Sequence, residues 1–330
     1  MKAASIVITH RIFPETTEKL NRYGRVQRND SDQGMDYEKL LACSKKADAL
    51  MVFMPDKVDE AFLGHCSKLR IVACALKGYD NIDVDACTRH GVWVSIVPDL
   101  LSTPTADLAV GLLLAITRKI MEGDRFVRSG SFRGWRPLLY GSGLEGKTAG
   151  IVGFGKVGQL IARRLKAFEM KLCCADPAEI DSEALGEMGV KKIGFEELVR
   201  HSDYIVAAAP LLPSSLHLFD QGVLARMKPG AFLINIGRGS VVDENAVAVA
   251  LENGTLAGYA ADVFELEDLS RADRPETIPT AFLGESSRTV FTPHLGSAVD
   301  EVRLAIEKAA VANIIDVLEG RSPRNAVNRL

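Results

Sequence analysis

Three polar residues of types that can transfer protons or hold an anion follow strand-like runs in the second half of the chain. Arg238 follows FLINI, Glu267 follows GYAADVF, and His294 follows RTVF. A guanidinium can hold an anion through two parallel hydrogen bonds. A carboxylate that orients an imidazole raises its basicity and fixes its tautomer, which suits a general acid or base near neutral pH. These residue types predict a catalytic set of Arg238, Glu267 and His294. The other histidines have no comparable setting: His10, His65, His90, His201 and His217.

A glycine-rich turn indicates a dinucleotide-binding site. Gly153, Gly155 and Gly158 form GxGxxG directly after TAGIV and directly before QLIARRLKAF. Such glycines permit a tight turn, close approach of the backbone to a pyrophosphate, and close packing of helix on strand, and the helix N-terminus attracts phosphate. Asp176 ends the next strand-like run, where its carboxylate can accept hydrogen bonds from the adenosine ribose. Because that carboxylate repels a 2′-phosphate and no Arg or Lys lies between Pro177 and Leu185, we expect NAD rather than NADP.

Short strand-like runs alternate with helical patterns along nearly the whole chain, which is typical of α/β folds with parallel sheets. The first series is SIVITH, ADALMVF, LRIVAC and GVWVSIV, with a helix predicted near Pro14 to Tyr23. The second is KTAGIVGFG, MKLCCAD, DYIVAAAP, GAFLINIG, LAGYAADVF and RTVFTPH. Since α/β folds bind ligands at the carboxyl ends of their strands, the second series must position the cofactor turn and the catalytic set.

Two long helical patterns predict how the chain passes between domains. The segment from Thr103 to Ile120 is apolar on most faces and predicts a buried helix at a crossing between domains. The segment from Asp300 to Leu318 has apolar residues at helical spacing and would return the chain to the first domain. The predicted layout is a discontinuous substrate domain, residues 1–100 and 297–330, around an NAD-binding domain, residues 101–296.

The composition is that of a globular enzyme. The chain has 330 residues, 47% hydrophobic and 25% charged, with a net charge of only -3, which gives no broad field for nucleic acid or an anionic membrane. The N-terminal run SIVITH is too short for a signal-peptide core, and no apolar stretch has the length of a membrane span. The six cysteines include no CxxC, so we expect reduced thiols in a cytoplasmic protein and no metal site.

In combination, the GxGxxG turn with its Asp, the GRG loop, DVF followed by Glu, and PHLGS resemble the D-isomer-specific 2-hydroxy-acid dehydrogenases. The resemblance implies two doubly wound parallel-sheet domains, with a Rossmann NAD-binding domain inserted in a flavodoxin-like substrate domain. It also implies an active site in the cleft between domains, and a homodimer with an interface helix at Thr103 to Ile120. Arg238, Glu267 and His294 occupy the family's catalytic positions. The residues expected to contact NAD are Gly153, Gly155, Lys156, Val157, Gly158, Asp176, Pro210, Asp262, Thr105 and Gly237.

A narrower resemblance covers nearly the whole chain. MVFMPDKVD, CALKGYDNIDVDACT, FTPHLGSAV and NAVNRL are similar to the phosphonate (phosphite) dehydrogenase branch of that family. It implies that the chain oxidises phosphite to phosphate, with water attacking phosphorus as hydride passes from the P–H bond to NAD. Our hypothesis is that His294 removes the water proton, while Arg238 stays open as the alternative base. Lys77 would add a positive charge suited to a compact, largely dianionic oxyanion. The residues expected to bind substrate are Lys77, Gly78, Met54, Arg303, Trp135, Tyr140 and Ser297.

Two other functions stay open at this point. The first is an ordinary 2-hydroxy-acid dehydrogenase acting on glyoxylate, hydroxypyruvate or a similar compound, in which Lys77 is incidental. The second is an NADH-sensing corepressor that keeps the Arg, Glu and His set with little turnover. Assays with phosphite and NAD, and with glyoxylate and NADH, separate the three.

Overall fold

The computed structural model describes residues 3–284 and 287–330. The chain divides into two compact units. The first comprises Met1–Leu101, Leu269–Ala272 and Ala298–Leu330, and the second comprises Ser102–Asp268 and Asp273–Ser297.

Strands and helices alternate along both units. The strands are β1 (Ala4–Ile8), β2 (Gly24–Arg28), β3 (Ala49–Val52), β4 (Ile71–Cys74), β5 (Trp93–Ser95), β6 (Thr148–Val152), β7 (Lys171–Ala175), β8 (Val190–Lys192), β9 (Tyr204–Ala207), β10 (Ala231–Asn235), β11 (Leu256–Ala261) and β12 (Thr289–Phe291). The α-helices are α1 (Pro14–Asn21), α2 (Tyr37–Ser44), α3 (Glu60–Gly64), α4 (Val84–Arg89), α5 (Ser102–Thr117), α6 (Ile120–Arg128), α7 (Lys156–Lys166), α8 (Ser182–Met188), α9 (Phe195–His201), α10 (Gln221–Ala225), α11 (Glu244–Glu252), α12 (Thr280–Leu283) and α13 (Asp300–Leu318). Short 3-10 helices span Gly239–Val241 and Glu265–Glu267.

The sheet of the first unit has, in the described residues, five parallel strands in the order β2-β1-β3-β4-β5, which is the flavodoxin order. Its central strands β3 and β4 are buried along their whole length, and because alternate residues point to opposite sides, both of their faces are covered. In β3, Leu50 and Val52 pack against the apolar side chains of α2, α3 and α4. Ala49 and Met51 pack on the other face with α1 and α13.

The sheet of the second unit has seven parallel strands within the described ranges, in the order β12-β11-β10-β9-β6-β7-β8. Read from β8, this is the Rossmann strand order with one further strand, β12, at its edge. The two sheets confirm the prediction of two parallel-sheet α/β domains, one of them a Rossmann domain. Since β10, β11 and β12 are neighbours and run parallel, the segments that follow them emerge at the same edge.

Helix α5 lies inside the second unit. Its buried residues, among them Ala106, Leu113 and Ile116, pack with Ile151 and Ala260 of the sheet. The prediction of a buried helix from Thr103 to Ile120 is thus correct except at its end. The α-helix ends at Thr117, Lys119 takes a left-handed φ of 53°, and α6 begins at Ile120. The role of this helix in a dimer interface, which the family resemblance implies, stays a prediction.

Two strands are absent from the sequence prediction. β2 and β8 lie at sheet edges, and their sequences GRVQR and VKK carry several charges. Such strands lack the apolar run of a central strand, and charge on an edge strand discourages pairing with another chain. In the described part of the chain, no helix combines the length and the apolarity needed to cross a membrane. The six cysteines carry free thiols.

Candidate active site

The turn from Gly153 to Gly158 has the geometry that a dinucleotide requires. Gly153 has a φ of 89°, and a Cβ there would lie 2.8 Å from the carbonyl carbon of Ala208. A Cβ on Gly158 would lie 2.3 Å from the carbonyl oxygen of Gly153, so strand and helix pack backbone to backbone. Gly155, the residue before α7, has nothing within 4 Å of its Cβ position. The unpaired N–H groups at the start of α7 therefore border open space, as a pyrophosphate site needs.

Asp176 follows β7 and faces this turn. One carboxylate oxygen accepts a hydrogen bond from the backbone N–H of Phe154 at 2.7 Å, and the other accepts from Ala178 at 2.8 Å. Each oxygen keeps a further lone pair for a ribose hydroxyl. The residues present thus fit an adenosine diphosphate moiety. Among the other predicted contacts, Lys156 and Val157 form the first turn of α7, and Pro210 lies exposed after β9.

The loop after β10 carries Arg238 between two glycines. Neither glycine can be replaced by a larger residue unless the neighbouring backbone moves. A Cβ on Gly237 would lie 2.4 Å from the carbonyl oxygen of Ala209, and one on Gly239 would lie 1.9 Å from the carbonyl carbon of Phe264. Asn235, at the end of β10, donates to the carbonyl of Arg238 at 2.9 Å and accepts from the N–H of Gly237 at 3.2 Å. The loop is therefore fixed both by its own turn and by contact with the segment after β11.

Glu267 and His294 form a hydrogen-bonded pair after β11 and β12. Glu267 Oε2 lies 2.6 Å from His294 Nδ1, and Glu267 Oε1 accepts from the backbone N–H of Phe264 at 2.8 Å. Both side chains are half-buried. An ionised Glu267 accepts the Nδ1 proton, which leaves Nε2 as the imidazole atom that can give or take a proton. His294 has a φ of 55°, a left-handed conformation that a non-glycine residue keeps only where its surroundings impose it.

Asp262 holds the loop that carries His294 through three hydrogen bonds. Its Oδ1 accepts from the hydroxyl of Thr292 and from the N–H of Leu295, both at 2.6 Å, and its Oδ2 accepts from the N–H of Gly296 at 2.8 Å. Burial raises the pKa of Asp262, and the three hydrogen bonds oppose that shift. Thr105 of α5 donates to the carbonyl of Gly296 at 3.2 Å. These polar groups hold the His294 loop, residues 292–296, and the cofactor contacts that the sequence predicts for both residues stay predictions.

Four of the predicted substrate-binding residues lie in the first unit. Lys77 and Gly78 follow β4, and Met54 follows β3. Asn81 joins these two loops, because its side-chain amide donates to the carbonyls of Met54 at 3.2 Å and of Asp56. Lys77 Nζ lies 3.0 Å from Asp99 Oδ1, so its charge is partly offset within the unit.

Arg303, the fourth, is in α13. Its guanidinium lies over the ring of Phe53, 5.5 Å from the centroid, and burial lowers the pKa of Arg303. Burial, together with the charge of Arg303, also lowers the pKa of His10. Beneath the Met54 loop, Asp56 accepts hydrogen bonds from Thr9 and from the N–H of Phe53. Burial raises the pKa of Asp56 to about 6.

The remaining predicted residues lie in the second unit. Trp135 and Tyr140 are 85% and 74% exposed, in the irregular segment between α6 and β6, and contribute to no packed site there. Ser297 is half-buried and follows the His294 loop. The structure therefore brings Glu267 and His294 into contact, with the Arg238 loop packed on the same segment.

Comparison with known proteins identifies the family. Residues 110–296 match the model described as D-isomer specific 2-hydroxyacid dehydrogenase, NAD binding domain. The chain belongs to this family. It is an NAD-dependent oxidoreductase, and the turn from Gly153 to Gly158 lies, with Asp176, within the matched NAD-binding domain.

The dehydrogenase has relatives with stated activities. It is 41% identical to a glyoxylate reductase of Thermococcus litoralis over 295 residues, 88% of this chain and 86% of the relative. A 2-hydroxyacid dehydrogenase structure from Polaromonas sp. JS6 66 superposes with a TM-score of 0.89 at 28% identity, covering 99% of this chain and 100% of the other. An NADPH-dependent glyoxylate/hydroxypyruvate reductase of Sinorhizobium meliloti, solved with NADP and malonate, gives 0.83 at 28%, covering 99% and 97%.

These comparisons contradict the expectation that the dehydrogenase oxidises phosphite. The relatives bear the names of enzymes acting on glyoxylate and hydroxypyruvate, which supports the alternative of an ordinary 2-hydroxy-acid dehydrogenase. The structure also weakens the physical argument for phosphite. That argument counted Lys77 as a full additional charge, and Asp99 pairs with it.

Sequence reasoning did not find Asn235 or Asn81, and it named Asp262 as a cofactor contact without finding its bonds to the His294 loop. Asn235 and Asn81 act through side-chain bonds to loop carbonyls, and Asp262 acts through bonds to loop N–H groups. An Asn at the end of a strand, two residues before a Gly, is a turn signal that could have indicated Asn235. The partners of Asn81 and Asp262 lie far along the chain, so no local pattern reveals them.

Proposed function

We propose that this dehydrogenase reduces a small 2-oxo acid of the glyoxylate or hydroxypyruvate type with NADH and, in reverse, oxidises the corresponding 2-hydroxy acid. The observation that carries the proposal is the Glu267–His294 pair, at 2.6 Å, in the same unit as the NAD-binding turn. The relatives named glyoxylate reductase support the choice of substrate class.

Reduction of the carbonyl needs a hydride at carbon and a proton at oxygen. NADH supplies the hydride. His294 supplies the proton from Nε2, because Nδ1 is occupied by Glu267. The carboxylate of Glu267 stabilises the imidazolium before transfer and keeps the ring in one orientation afterwards. In the oxidative direction the same Nε2 takes the hydroxyl proton.

We propose that Arg238 binds the substrate carboxylate or the carbonyl oxygen, since its guanidinium can form two parallel hydrogen bonds. The backbone of Lys77 and Gly78, with Met54, Arg303 and Ser297, is proposed to contribute to substrate binding. Trp135 and Tyr140 have weaker support, because both are largely exposed within their own unit.

We also propose that Asp176 makes the enzyme prefer NAD to NADP. Its two oxygens are held by the N–H groups of Phe154 and Ala178, so a 2′-phosphate would meet a fixed negative charge. Repulsion of this kind disfavours the phosphorylated cofactor.

A homodimer is a further proposal, which the family resemblance implies. A run of exposed apolar side chains lies on α6 and the segment after it, and such surface marks protein interfaces. These side chains are Ile120, Met121, Val127, Phe132, Trp135 and Tyr140. Sedimentation equilibrium should give twice the chain mass, and a monomer at micromolar concentration would contradict the proposal. The cytoplasmic location stays a prediction.

The test of the catalytic proposal is NADH consumption with glyoxylate and with hydroxypyruvate, followed at 340 nm. We expect turnover with at least one of them. His294→Asn should lower kcat at least 100-fold while NADH still binds, because it removes proton transfer and leaves the cofactor turn intact. His201→Asn, at an exposed histidine ending α9, is the matched control and should keep full activity.

Two results would contradict the proposal. The first is the absence of turnover with both 2-oxo acids. The second is NADH formation from NAD and phosphite at a higher kcat/KM than any 2-hydroxy acid gives.

A further inference from the structure

Two carboxylate–imidazole pairs flank one short helix in the second unit. The 3-10 helix Glu265–Glu267 places Glu267 Oε2 2.6 Å from His294 Nδ1, and Glu265 Oε2 2.8 Å from His217 Nε2. Both histidines have left-handed backbone conformations, with φ of 55° for His294 and 47° for His217. The first pair is the proposed acid-base pair. The second has the same composition and is joined to it by a single helical turn.

Glu265 is anchored on its other side by α11. Its backbone N–H donates to Glu244 Oε1 at 2.8 Å, and its Oε1 accepts from the backbone N–H of Glu244 at 3.1 Å. Glu265 is 4% exposed and Glu244 is 1% exposed, so these bonds are shielded from water. One carboxylate oxygen of Glu265 therefore bonds to the start of α11, and the other bonds to His217.

His217 is also bonded to the loop that carries Arg238. Its backbone N–H donates to the carbonyl of Ser240 at 2.7 Å. The N–H of Ser240 donates to Asp268 Oδ2 at 2.7 Å, and the N–H of Asp268 donates to the carbonyl of Glu265 at 3.1 Å. A closed path of hydrogen bonds thus runs from His217 through the Arg238 loop and back to Glu265.

Negative charge is crowded around this path. Burial, and then the carboxylates of Glu265, Asp268 and Glu267, raise the pKa of Glu244 to about 7 against one opposing hydrogen bond. The hydroxyl of Tyr259 is buried near the same carboxylates, and its pKa is raised, chiefly by burial. An imidazole N–H that donates to Glu265 offsets part of this repulsion, and so favours the observed position of the helix.

We propose that His217 is a positioning residue of this dehydrogenase. Its bond to Glu265 fixes the Glu265–Glu267 helix, and thereby keeps Glu267 on Nδ1 of His294 and the Arg238 loop in place. His217 acts through Glu267 and needs no contact with substrate. The effect on turnover rests on the proposed function, whereas the effect on the Glu267–His294 bond does not.

The test compares His217→Ala with His217→Gln, since the Gln amide can donate to Glu265 from about the position of Nε2. We expect His217→Ala to lower kcat for glyoxylate about tenfold or more, with KM for NADH within about twofold of wild type. His217→Gln should restore kcat to within about threefold. His201→Ala is the matched control, because His201 is exposed and its Nδ1 lies 2.8 Å from the carbonyl oxygen of Glu197 in its own helix.

A second readout is independent of the substrate. In protein labelled with ¹⁵N-histidine, the Nδ1–H resonance of His294, assigned through His294→Asn, reports the bond to Glu267. It should broaden or shift in His217→Ala and return in His217→Gln. Unchanged kcat and resonance in His217→Ala would overturn the proposal, as would equal losses in the Ala and Gln variants. If the wild type reduces no 2-oxo acid, the proposed function fails and the resonance alone decides the role of His217.

Discussion

Replacing Asp262 with Asn should distinguish two roles of this residue. The sequence predicts that Asp262 contacts the cofactor, whereas the structure shows that it holds the loop carrying His294. An Asn can keep one oxygen in place, accepting from Thr292 and Leu295 as Asp262 Oδ1 does at 2.6 Å. Its amide nitrogen would then face the N–H of Gly296, to which Asp262 Oδ2 is now bonded at 2.8 Å. Two donors would meet in a buried position, so the loop that carries His294 must shift or leave one of them unsatisfied.

The size of the effect follows from that buried donor. An unsatisfied buried hydrogen-bonding group costs about 1–3 kcal/mol. For a unit of this size, such a loss lowers Tm by roughly 2–10 °C. If the displacement of His294 removes the same free energy from the transition state, kcat falls about 5- to 150-fold.

The assay is thermal unfolding by calorimetry together with the kinetics of NADH-dependent glyoxylate reduction. If Asp262 holds the loop, kcat falls while KM for NADH stays within about threefold. If it contacts the cofactor, KM for NADH rises instead. Asp220→Asn is the matched control, since Asp220 caps α10 through Val223 and Asn caps a helix equally well.

A variant Asp262→Asn whose Tm lies within about 1 °C of wild type, and whose kcat lies within about twofold, would refute this reasoning. It would mean that the His294 loop keeps its conformation without the bond from the N–H of Gly296 to residue 262. The left-handed φ of His294 would then need another cause.

Three further predictions concern other parts of the chain. Gly239→Ala should lower both Tm and kcat, the latter more than about tenfold, because its Cβ would lie 1.9 Å from the carbonyl carbon of Phe264 and force the Arg238 loop away. Asp176→Ala should raise kcat/KM with NADPH relative to NADH about tenfold or more, and an unchanged ratio would remove Asp176 from cofactor selection. Burial raises the pKa of Asp56 to about 6, above its ordinary value, so its stabilising contribution is present at low pH and lost as the pH rises through 6. Denaturant titrations from pH 4 to 7 should show a fall of about 3 kcal/mol from this group, absent in Asp56→Asn. Glu244, with a pKa raised to about 7, adds a decline common to both proteins.

The order of strands and helices could be predicted from the sequence wherever burial on both faces leaves an apolar run. β3, with ALMV, and β10, with AFLIN, are of this kind. β2 and β8 could not be predicted, because an edge strand pairs through its backbone and leaves its side chains free to be charged. The end of α5 at Thr117 was also missed, since the break lies in the backbone of Lys119 rather than in a Gly or Pro.

The residues of the candidate site likewise fall into those that the sequence reveals and those that only the structure reveals. Arg238, Glu267 and His294 are recognisable because each follows a strand that the sequence itself reveals. Asp262 and Glu265 are equally acidic and lie in the same DVFELE stretch, yet the structure uses them differently. Asp262 binds the loop after β12, and Glu265 binds His217 and Glu244. Which of these neighbouring carboxylates contacts a loop, a helix or the imidazole of His294 can be read only from the folded structure.

The prediction of phosphite as substrate was wrong, and its physical argument counted basic residues without the acidic residues that pair with them. Lys77 was treated as an added cation, and a cation beside Arg238 and Arg303 suggests a dianion. In the structure Asp99 lies 3.0 Å from Lys77, so the charge of Lys77 is partly offset within its own unit. A monocarboxylate needs one guanidinium in a suitable orientation, and the loop of Arg238, fixed by Gly237, Gly239 and Asn235, is built to hold one. In the proposed function, in which Arg238 binds the substrate carboxylate, we expect the hydrogen-bond path through His217 to affect which small acid is reduced, because that path holds the Arg238 loop.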